Sequence, residues 1–200
     1  MPHRESENYL KSADKKLKVI IEQVGPCTLR VAKRDKFDVL ASSIISQQLS
    51  VKAARTIKGR IIELVGQKKA LKAESLKNIN VSQLRSCGLS NAKASYILSL
   101  AENTINGSLN LKSLHNHTDE EIVELLIRQK GVGKWTVEMF MIFALGRPDV
   151  LSTTDTGLLR SAQSIYKLKN KPTINEFTQL ADKWKPYRSI ACWYLWRYID

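Results

Sequence analysis

Residues 124–160 read ELLIRQKGVGKWTVEMFMIFALGRPDVLSTTDTGLLR, and two features of this stretch organise the interpretation of the whole chain. A Gly-Val-Gly turn separates two segments whose apolar residues recur at helical spacing. A single acid, Asp155, follows in a Ser/Thr-rich bend that opens a further helical segment. The stretch therefore predicts a helical hairpin at about 122–145, followed by an aspartate at the start of another helix.

The glycine turn is suited to close contact with another molecule. Gly131 and Gly133 permit backbone angles that other residues avoid, and they let the main chain approach a neighbour closely. The helix that begins at Lys134 starts with unpaired N–H groups and the positive end of its dipole, which together favour a phosphate. Lys130 and Lys134 add positive charge beside the turn. A lone Gly-x-Gly favours a tight helix–helix connection without a ligand. The positive charge of the whole chain and the presence of Asp155 favour a turn that binds phosphate instead.

Composition supports a phosphate-rich partner. The 200 residues carry a formal net charge of +13, with a sequence pI of about 9.7, a balance typical of proteins that bind nucleic acid. Three widely spaced cysteines indicate neither a disulfide framework nor a zinc site. The sequence shows no signal peptide and no apolar stretch of membrane-spanning length, so we expect an intracellular protein, in the cytoplasm or nucleoid of a prokaryote or the nucleus of a eukaryote.

Helical periodicity extends along the chain, and no segment alternates convincingly as a strand. We predict an all-α fold of about ten helices, forming one domain over residues 1–200 as two helical lobes with a DNA-binding cleft. A continuous first helix is predicted for residues 6–24 and a short basic helix for residues 68–79.

Several helix starts are marked by capping residues. Thr118 and Thr173 each precede a glutamate by three residues, which predicts two capping boxes. Ser50 and Ser90 are predicted N-caps. The residues that could cap the helix after the bend are Thr153, Thr154 and Asp155.

Three segments together resemble one known family. Residues 130–160, the segment ISQQLSV at 45–51 and the segment WKPYRS at 184–189 are similar to the helix-hairpin-helix DNA glycosylases, most closely to their 3-methyladenine DNA glycosylase II branch. The similarity covers residues 18–196. Lys130 stands where the family often has proline, and Thr154 stands where many relatives carry a second acid. The cysteine count argues against the iron–sulfur cluster of the endonuclease III branch.

The resemblance implies an enzyme that flips alkylated purines, of the 3-methyladenine and 7-methylguanine type, out of double-stranded DNA and excises them by hydrolysis. Asp155 matches the catalytic carboxylate, which would stabilise the cationic sugar in the transition state. A simple N-cap aspartate is the competing interpretation. Bifunctional members carry a lysine at the position of Trp135, so the resemblance implies a monofunctional enzyme without lyase activity that leaves an abasic site.

Pocket residues are also implied by the resemblance. Trp135 and Trp196 match aromatic positions that line the base pocket, and Met139 stands at a position where tyrosine occurs in relatives. An alkylated purine is electron-poor, so a tryptophan face attracts it. Ordinary core packing is the alternative for each tryptophan.

A wedge is expected at the junction of residues 47–49. Gln48 matches the residue that fills the space left by an extruded nucleotide, and Leu49 is the alternative inserter. A solvated helix junction is the competing interpretation, and Lys93 is a further candidate for a phosphate contact or a solvated lysine. The residues expected to contact DNA are Gln47, Gln48, Leu49, Lys130, Gly131, Val132, Gly133, Lys134 and Thr136.

No organic cofactor is expected. The resemblance implies a monovalent cation, Na⁺ or K⁺, held by the backbone carbonyls of Ile127, Gln129 and Val132. The expected partner is double-stranded DNA containing damaged bases, with no membrane, and the protein is expected to be a monomer. Two alternatives stay open: a non-catalytic helix-hairpin-helix DNA-binding module, and a glycosylase for uracil, mismatched thymine or an oxidised purine.

Overall fold

The computed structural model describes residues 3–199, and within that range helices joined by turns are found with no β-strand, which confirms the all-α prediction. The described residues contain eleven α-helices: α1 (Arg4–Ala13), α2 (Lys15–Val24), α3 (Lys36–Ser46), α4 (Val51–Leu64), α5 (Val81–Ser86), α6 (Asn91–Ile105), α7 (Asp119–Ile127), α8 (Lys134–Phe140), α9 (Thr156–Tyr166), α10 (Ile174–Ala181) and α11 (Arg188–Ile199). A π-helical turn at Met141–Leu145 and three 3₁₀ turns, at Ala73–Leu76, Ser113–Asn116 and Asp182–Trp184, complete the helical structure. None of the helices in this range has the length and apolarity needed to cross a bilayer.

The chain forms two compact units. The first unit comprises the residues up to Val31 together with those from Met141 onward. In its interior, α11 packs on α9, α2 and α1. Trp184, Tyr194 and Phe177 are fully buried there, together with Leu10 and other apolar side chains. Burying such a side chain contributes about 1.5–3 kcal/mol relative to leaving it exposed. Leu158 and Ala162 of α9 belong to the same core, so it holds α9 and α11 together.

The second unit comprises Ala32–Phe140. Helix α3 is central to it and packs against α4, α6 and α8. One buried face of α3 presents Leu40, Ile44 and Ile45 to these neighbours. Asp38 on the same helix is also fully buried and forms an ion pair with Lys58 at 2.6 Å. The second unit thus has its own core, with α3 fixed by both apolar and ionic contacts.

Two predicted helix assignments were wrong, and both involve a buried aspartate. The helix predicted for residues 6–24 is broken at Asp14, whose extended backbone ends α1 and whose side chain accepts the N–H groups of Lys16 and Leu17 to start α2. The helix predicted for residues 68–79 is a loop with only a 3₁₀ turn. There the N–H of Leu71 donates to Asp38 at 3.0 Å, which replaces a helical hydrogen bond.

The predicted helix starts are confirmed. Ser50 and Ser90 each accept a backbone N–H three residues ahead. Thr118 and Thr173 form complete capping boxes with the glutamates that follow them. These local signals survive in the structure because capping needs only neighbouring residues.

Candidate active site and nucleic-acid interface

The bend before α9 presents Asp155 at the start of that helix. Its Oδ1 accepts the N–H of Leu158 at 2.9 Å, so Asp155 is the N-cap, rather than Thr153 or Thr154. The same oxygen accepts the indole N–H of Trp196, on α11, at 3.3 Å. The Asp155 side chain is half-buried. Two predicted site residues are therefore brought together, with a carboxylate oriented by two donors.

Trp196 is held by packing as well as by its N–H group. Its ring lies on Phe143, with centroids 5.8 Å apart and planes inclined by 31°. A Cβ atom added to Gly157 would lie 3.0 Å from Asp155 Oδ1 and 3.7 Å from Trp196 Cδ1. The pair therefore depends on the absence of a side chain at position 157. Neither Phe143 nor Gly157 was predicted from the sequence, although a glycine within a helical pattern can indicate close packing at that position.

Helix α11 also fixes the segment that leads into the bend. Ser189 donates its hydroxyl proton to the Arg147 carbonyl at 2.7 Å and accepts the Val150 N–H at 2.9 Å. Ser161, on α9, donates to the Leu195 carbonyl at 2.7 Å. Both hydroxyls are buried. These bonds connect the segment before α9, and α9 itself, to α11, the helix that carries Trp196.

The two glycines of the hairpin, in the second unit, differ in the space around them. Gly131 has φ of +81°, and a Cβ atom there would lie 2.4 Å from Cδ2 of Tyr96. Val132 is buried, and its N–H donates to the Gln129 carbonyl at 3.1 Å. A Cβ atom on Gly133 would meet nothing within 4 Å. The fold itself requires Gly131, whereas Gly133 leaves open space at the surface.

The side chains around the hairpin differ in accessibility. Lys130 and Lys134 are exposed, as expected for phosphate contacts. Trp135 is 46% exposed and Met139 is half-buried. Thr136 is only 5% exposed, because this position of α8 faces the interior. The contact predicted between Thr136 and DNA stays a prediction, and with its side chain buried this residue would use its main chain.

The junction between α3 and α4 forms an exposed turn. Gln48 has φ of +56°, in the left-handed region that non-glycine residues rarely adopt, and its side chain is exposed. Leu49 is 39% exposed. The amide of Gln47 donates to the Gly131 carbonyl at 2.8 Å. An open cleft of about 260 Å³ lies at this turn, lined by residues 47–49, 88–90 and 93.

The Lys93 side chain is less accessible to solvent than predicted. It is half-buried, and its ammonium donates to the carbonyls of Ile45, at 2.9 Å, and Gln47. Burial lowers the pKa of this ammonium. The interpretation of Lys93 as a solvated lysine is therefore wrong, and two of its donors already serve the chain itself.

The three carbonyls expected to hold a monovalent cation lie on the hairpin. Among the described residues, the carbonyls of Ile127 and Val132 accept no backbone hydrogen bond, whereas the Gln129 carbonyl accepts one from Val132. A carbonyl oxygen has two lone pairs, so the Gln129 oxygen keeps acceptor capacity. These three carbonyl oxygens are therefore suitable ligands for a monovalent cation that prefers oxygen. Over residues 3–199, no cluster of three or more His, Cys, Asp or Glu side chains suits a metal ion, and the three cysteines are buried thiols.

Comparisons with known proteins agree with this architecture. Residues 41–186 match the model of the HhH-GPD superfamily of base excision DNA repair proteins. The chain is 33% identical to the alkylbase DNA glycosidase-like protein mag2 of Schizosaccharomyces pombe, covering 98% of this chain and 93% of that protein. It is similar to the crystal structure of a DNA-3-methyladenine glycosidase from Bacillus halodurans, with a TM-score of 0.88 and 38% identity over 97% of this chain and 88% of that one.

A DNA complex is among the similar structures. The 3-methyladenine DNA glycosylase Mag1 of Schizosaccharomyces pombe, solved with abasic DNA, has a TM-score of 0.82 and 30% identity over 96% of this chain and 95% of that one. The family match spans most of the chain, and the likeness extends to both units. The chain therefore belongs to the HhH-GPD superfamily of base excision DNA repair proteins.

Proposed function

We propose that this protein is a monofunctional DNA glycosylase that excises alkylated purines from double-stranded DNA and leaves an abasic site. The relatives named as 3-methyladenine glycosylases support the reaction and its substrate class. The observation that carries the proposal is the accessible carboxylate of Asp155, which is oriented by the α9 N–H and by the Trp196 indole.

Asp155 supplies the charge that the reaction needs. The bond between sugar C1′ and the purine nitrogen breaks, and its electron pair leaves with the base. The sugar becomes an oxocarbenium-like cation, which a preplaced carboxylate stabilises. Water then forms the new C1′–O bond, and its proton passes to the carboxylate or to solvent. Because the indole N–H fixes Oδ1, little reorientation of the carboxylate is needed in the transition state.

The base is recognised by aromatic surface. The residues proposed to contact the base are Trp135, Met139 and Trp196, and each keeps accessible surface in this structure. A cationic 3-methyl or 7-methyl purine gains about 1–2 kcal/mol over a desolvated tryptophan face. Ordinary adenine and guanine are neutral and gain less, so this term favours the alkylated base. Trp135 has no nucleophilic amine, so no Schiff base forms at this position and the strand stays intact.

The hairpin and the wedge turn bind the DNA. The main chain at Gly133 approaches a phosphate closely, and Lys130 and Lys134 add charge on either side. The carbonyls of Ile127, Gln129 and Val132 would hold Na⁺ or K⁺, which would supply positive charge next to that phosphate. Gln48 enters the space left by the flipped nucleotide, with Leu49 beside it.

The enzyme acts wherever DNA is kept, in the cytoplasm and nucleoid of a prokaryote or in the nucleus of a eukaryote. A monomer suffices for the proposed reaction, because one chain supplies the carboxylate, the pocket residues and the hairpin. The whole chain acts as one glycosylase domain.

Base release from defined duplexes tests the function. Separate duplexes carry one 7-methylguanine, one 3-methyladenine, one uracil, one thymine mismatch or one oxidised purine. We expect abasic sites from the two alkylated purines, revealed as strand breaks only after alkali. Breaks without alkali would show lyase activity and contradict the monofunctional assignment. Release from another lesion alone would change the substrate class, and DNA binding without any release would leave a non-catalytic binding module.

The two hairpin glycines provide a matched test of the backbone grip. Gly133→Ala adds a methyl group to open surface, so the fold should tolerate it while affinity for duplex DNA falls about tenfold. Gly131→Ala forces a clash with Tyr96 and should lower the free energy of unfolding by at least about 1 kcal/mol. Fluorescence anisotropy and urea unfolding separate the two effects. Wild-type affinity in a folded Gly133→Ala variant would contradict the grip at that position.

A further inference from the structure

We infer that Lys93 and Gln47 are positioning residues, which hold the wedge loop, residues 46–49, in a fixed register with the glycine hairpin. The inference rests on the proposed function, because the wedge loop acts only when a nucleotide is extruded. All of the contacts that support it lie within the second unit.

Lys93 holds the main chain of the loop. Helix α3 ends at Ser46, and the last carbonyls of a helix lack intrahelical partners and carry the negative end of its dipole. The Lys93 ammonium donates to two of the carbonyls at this end, those of Ile45 and Gln47. Lys93 itself lies in the first turn of α6, whose N-cap is Ser90. The loop is therefore anchored to α6 through a charged donor.

Gln47 is held on its other side by the hairpin. Its side-chain amide donates to the Gly131 carbonyl at 2.8 Å, while its own carbonyl receives the Lys93 ammonium. Residue 47 thus connects α6 with the turn that is proposed to bind phosphate. The spacing between the wedge and the hairpin is set by these two contacts.

The residue that follows is the one that needs such support. Gln48 is a non-glycine residue at φ of +56°, and conformations of this kind persist only where surrounding contacts determine them. The Leu49 N–H closes the turn on the Ser46 carbonyl at 3.1 Å. If either contact is lost, the Lys93 ammonium to the Gln47 carbonyl or the Gln47 amide to the Gly131 carbonyl, Gln48 can relax to an ordinary backbone conformation. Its side chain then leaves the wedge position.

A positioning lysine and a phosphate-binding lysine give different signatures. Removing a phosphate contact weakens binding to every duplex and lowers the salt slope by about one unit. Removing the positioning contact leaves ground-state binding and the salt slope unchanged, but impairs extrusion of the base. Fluorescence of 2-aminopurine placed next to the lesion reports that extrusion, because it rises when stacking is lost.

The experiment compares Lys93→Met with wild type, with Lys93→Arg as the conservative variant and with Lys68→Met as the matched control. Lys68 lies exposed in a loop of the same unit, so its substitution removes the same charge without touching the wedge loop. The substrate is a duplex with one 7-methylguanine beside 2-aminopurine. Fluorescence on binding, affinity at several salt concentrations and single-turnover release are measured at saturating protein.

We expect Lys93→Met to keep its affinity and salt slope, while the fluorescence rise is lost and release slows about tenfold to a hundredfold. Lys93→Arg should recover most of both signals, and Lys68→Met should match wild type. An unchanged fluorescence rise and rate in Lys93→Met, or a salt slope smaller by one unit, would overturn the inference.

A second variant keeps the test decisive if Lys93→Met does not fold. Gln47→Met removes only the amide donor to the hairpin and should show the same loss of fluorescence and rate, so wild-type behaviour in this variant would also overturn the inference. If wild type extrudes the base but releases none, the proposed function fails while the positioning role stands. If wild type releases the base and the variants are unaffected, only the positioning role fails.

Discussion

Two aspartates of the first unit begin a helix in the same way and differ in what else surrounds them. Asp14 caps α2 and Asp155 caps α9, and each also accepts a tryptophan indole N–H, from Trp184 at 2.9 Å and from Trp196 at 3.3 Å. Asp14 is only 3% exposed, and its Oδ2 also pairs with Lys183 at 3.1 Å. Asp155 is half-buried.

The difference shows how one capping arrangement serves either the fold or a ligand. Asp14 has both oxygens engaged in the interior, so its charge stabilises the packing of α2 in the first unit. The N–H groups of Leu158 and Trp196 both donate to Oδ1 of Asp155, and the Asp155 side chain keeps accessible surface. Burial distinguishes the two aspartates, whereas the capping motif does not.

The largest expected effect on stability comes from Asp14→Asn. The amide can still cap α2 through its oxygen, but its NH₂ group faces the donors Trp184 and Lys183, which then lose their acceptor. We expect the free energy of unfolding to fall by about 1–3 kcal/mol, because the buried indole N–H of Trp184 is left without its acceptor. Urea unfolding measures the loss. Wild-type stability in this variant would show that the buried network adds nothing.

Substitution of the two indole donors, Trp196 and Trp184, separates the roles of the two aspartates. Trp196→Phe keeps an aromatic ring beside Phe143 but removes the N–H donor to Asp155 and part of the surface proposed to contact the base, so single-turnover release should slow about tenfold. Trp184→Phe removes the equivalent donor to Asp14, and it should lower stability without changing release by the folded protein. Equal effects of the two variants on release would remove the distinction between the two sites.

Gly157→Ala should separate helix stability from catalysis. Alanine favours the helix by up to about 1 kcal/mol, but its Cβ would crowd Asp155 Oδ1 at 3.0 Å and Ile199 at 3.2 Å. We expect stability to change by less than about 1 kcal/mol and release to slow about fivefold, because the carboxylate shifts by a few tenths of an ångström. Thermal melting and single-turnover kinetics give the two values. Release at the wild-type rate would mean that the position of the carboxylate is not critical.

The smallest effect is the dependence of stability on pH. Burial by itself would raise the pKa of Asp14, but the hydrogen bonds from Tyr166 and Trp184 outweigh it and hold that pKa below its ordinary value. A lowered folded-state pKa contributes stability above the unfolded value of about 3.9, and this contribution is lost as pH falls through the folded value. Below about pH 4, wild type should therefore lose stability more steeply than Asp14→Asn. The same dependence of the free energy of unfolding on pH in wild type and Asp14→Asn, measured by urea unfolding between about pH 3 and 5, would contradict this role.

The parts of the fold that depend on neighbouring residues were predictable from the sequence. The capping boxes at Thr118 and Thr173 and the glycine hairpin were predicted correctly because their partners lie within a few residues. The break at Asp14 was not, because the side chains that stabilise it, Tyr166 and Trp184, lie more than 150 residues further along the chain. Helical periodicity alone favoured an unbroken helix there.

The candidate site divides in the same way. Asp155 and Trp196 were identified through the family resemblance, and the structure adds the hydrogen bond that joins them. The support from Phe143 could not be predicted, because it depends on how the π-helical turn packs on α11. For Gly157 the only signal was a glycine within a helical pattern, which does not show which side chain lies opposite it. Lys93 was misread since its acceptors, near residue 47, are distant in sequence.

Whether Asp155 is the catalytic carboxylate is decided by single-turnover release from a fully bound 7-methylguanine duplex, compared between Asp155→Asn and Asp14→Asn. Each rate is divided by the fraction of folded protein, and asparagine preserves the cap at both positions. We predict that Asp155→Asn slows release by at least about a hundredfold at nearly wild-type stability, whereas Asp14→Asn releases the base at the wild-type rate per folded molecule. Wild-type release by Asp155→Asn, or an equal loss of release in both variants, would contradict the assignment of the catalytic carboxylate to Asp155.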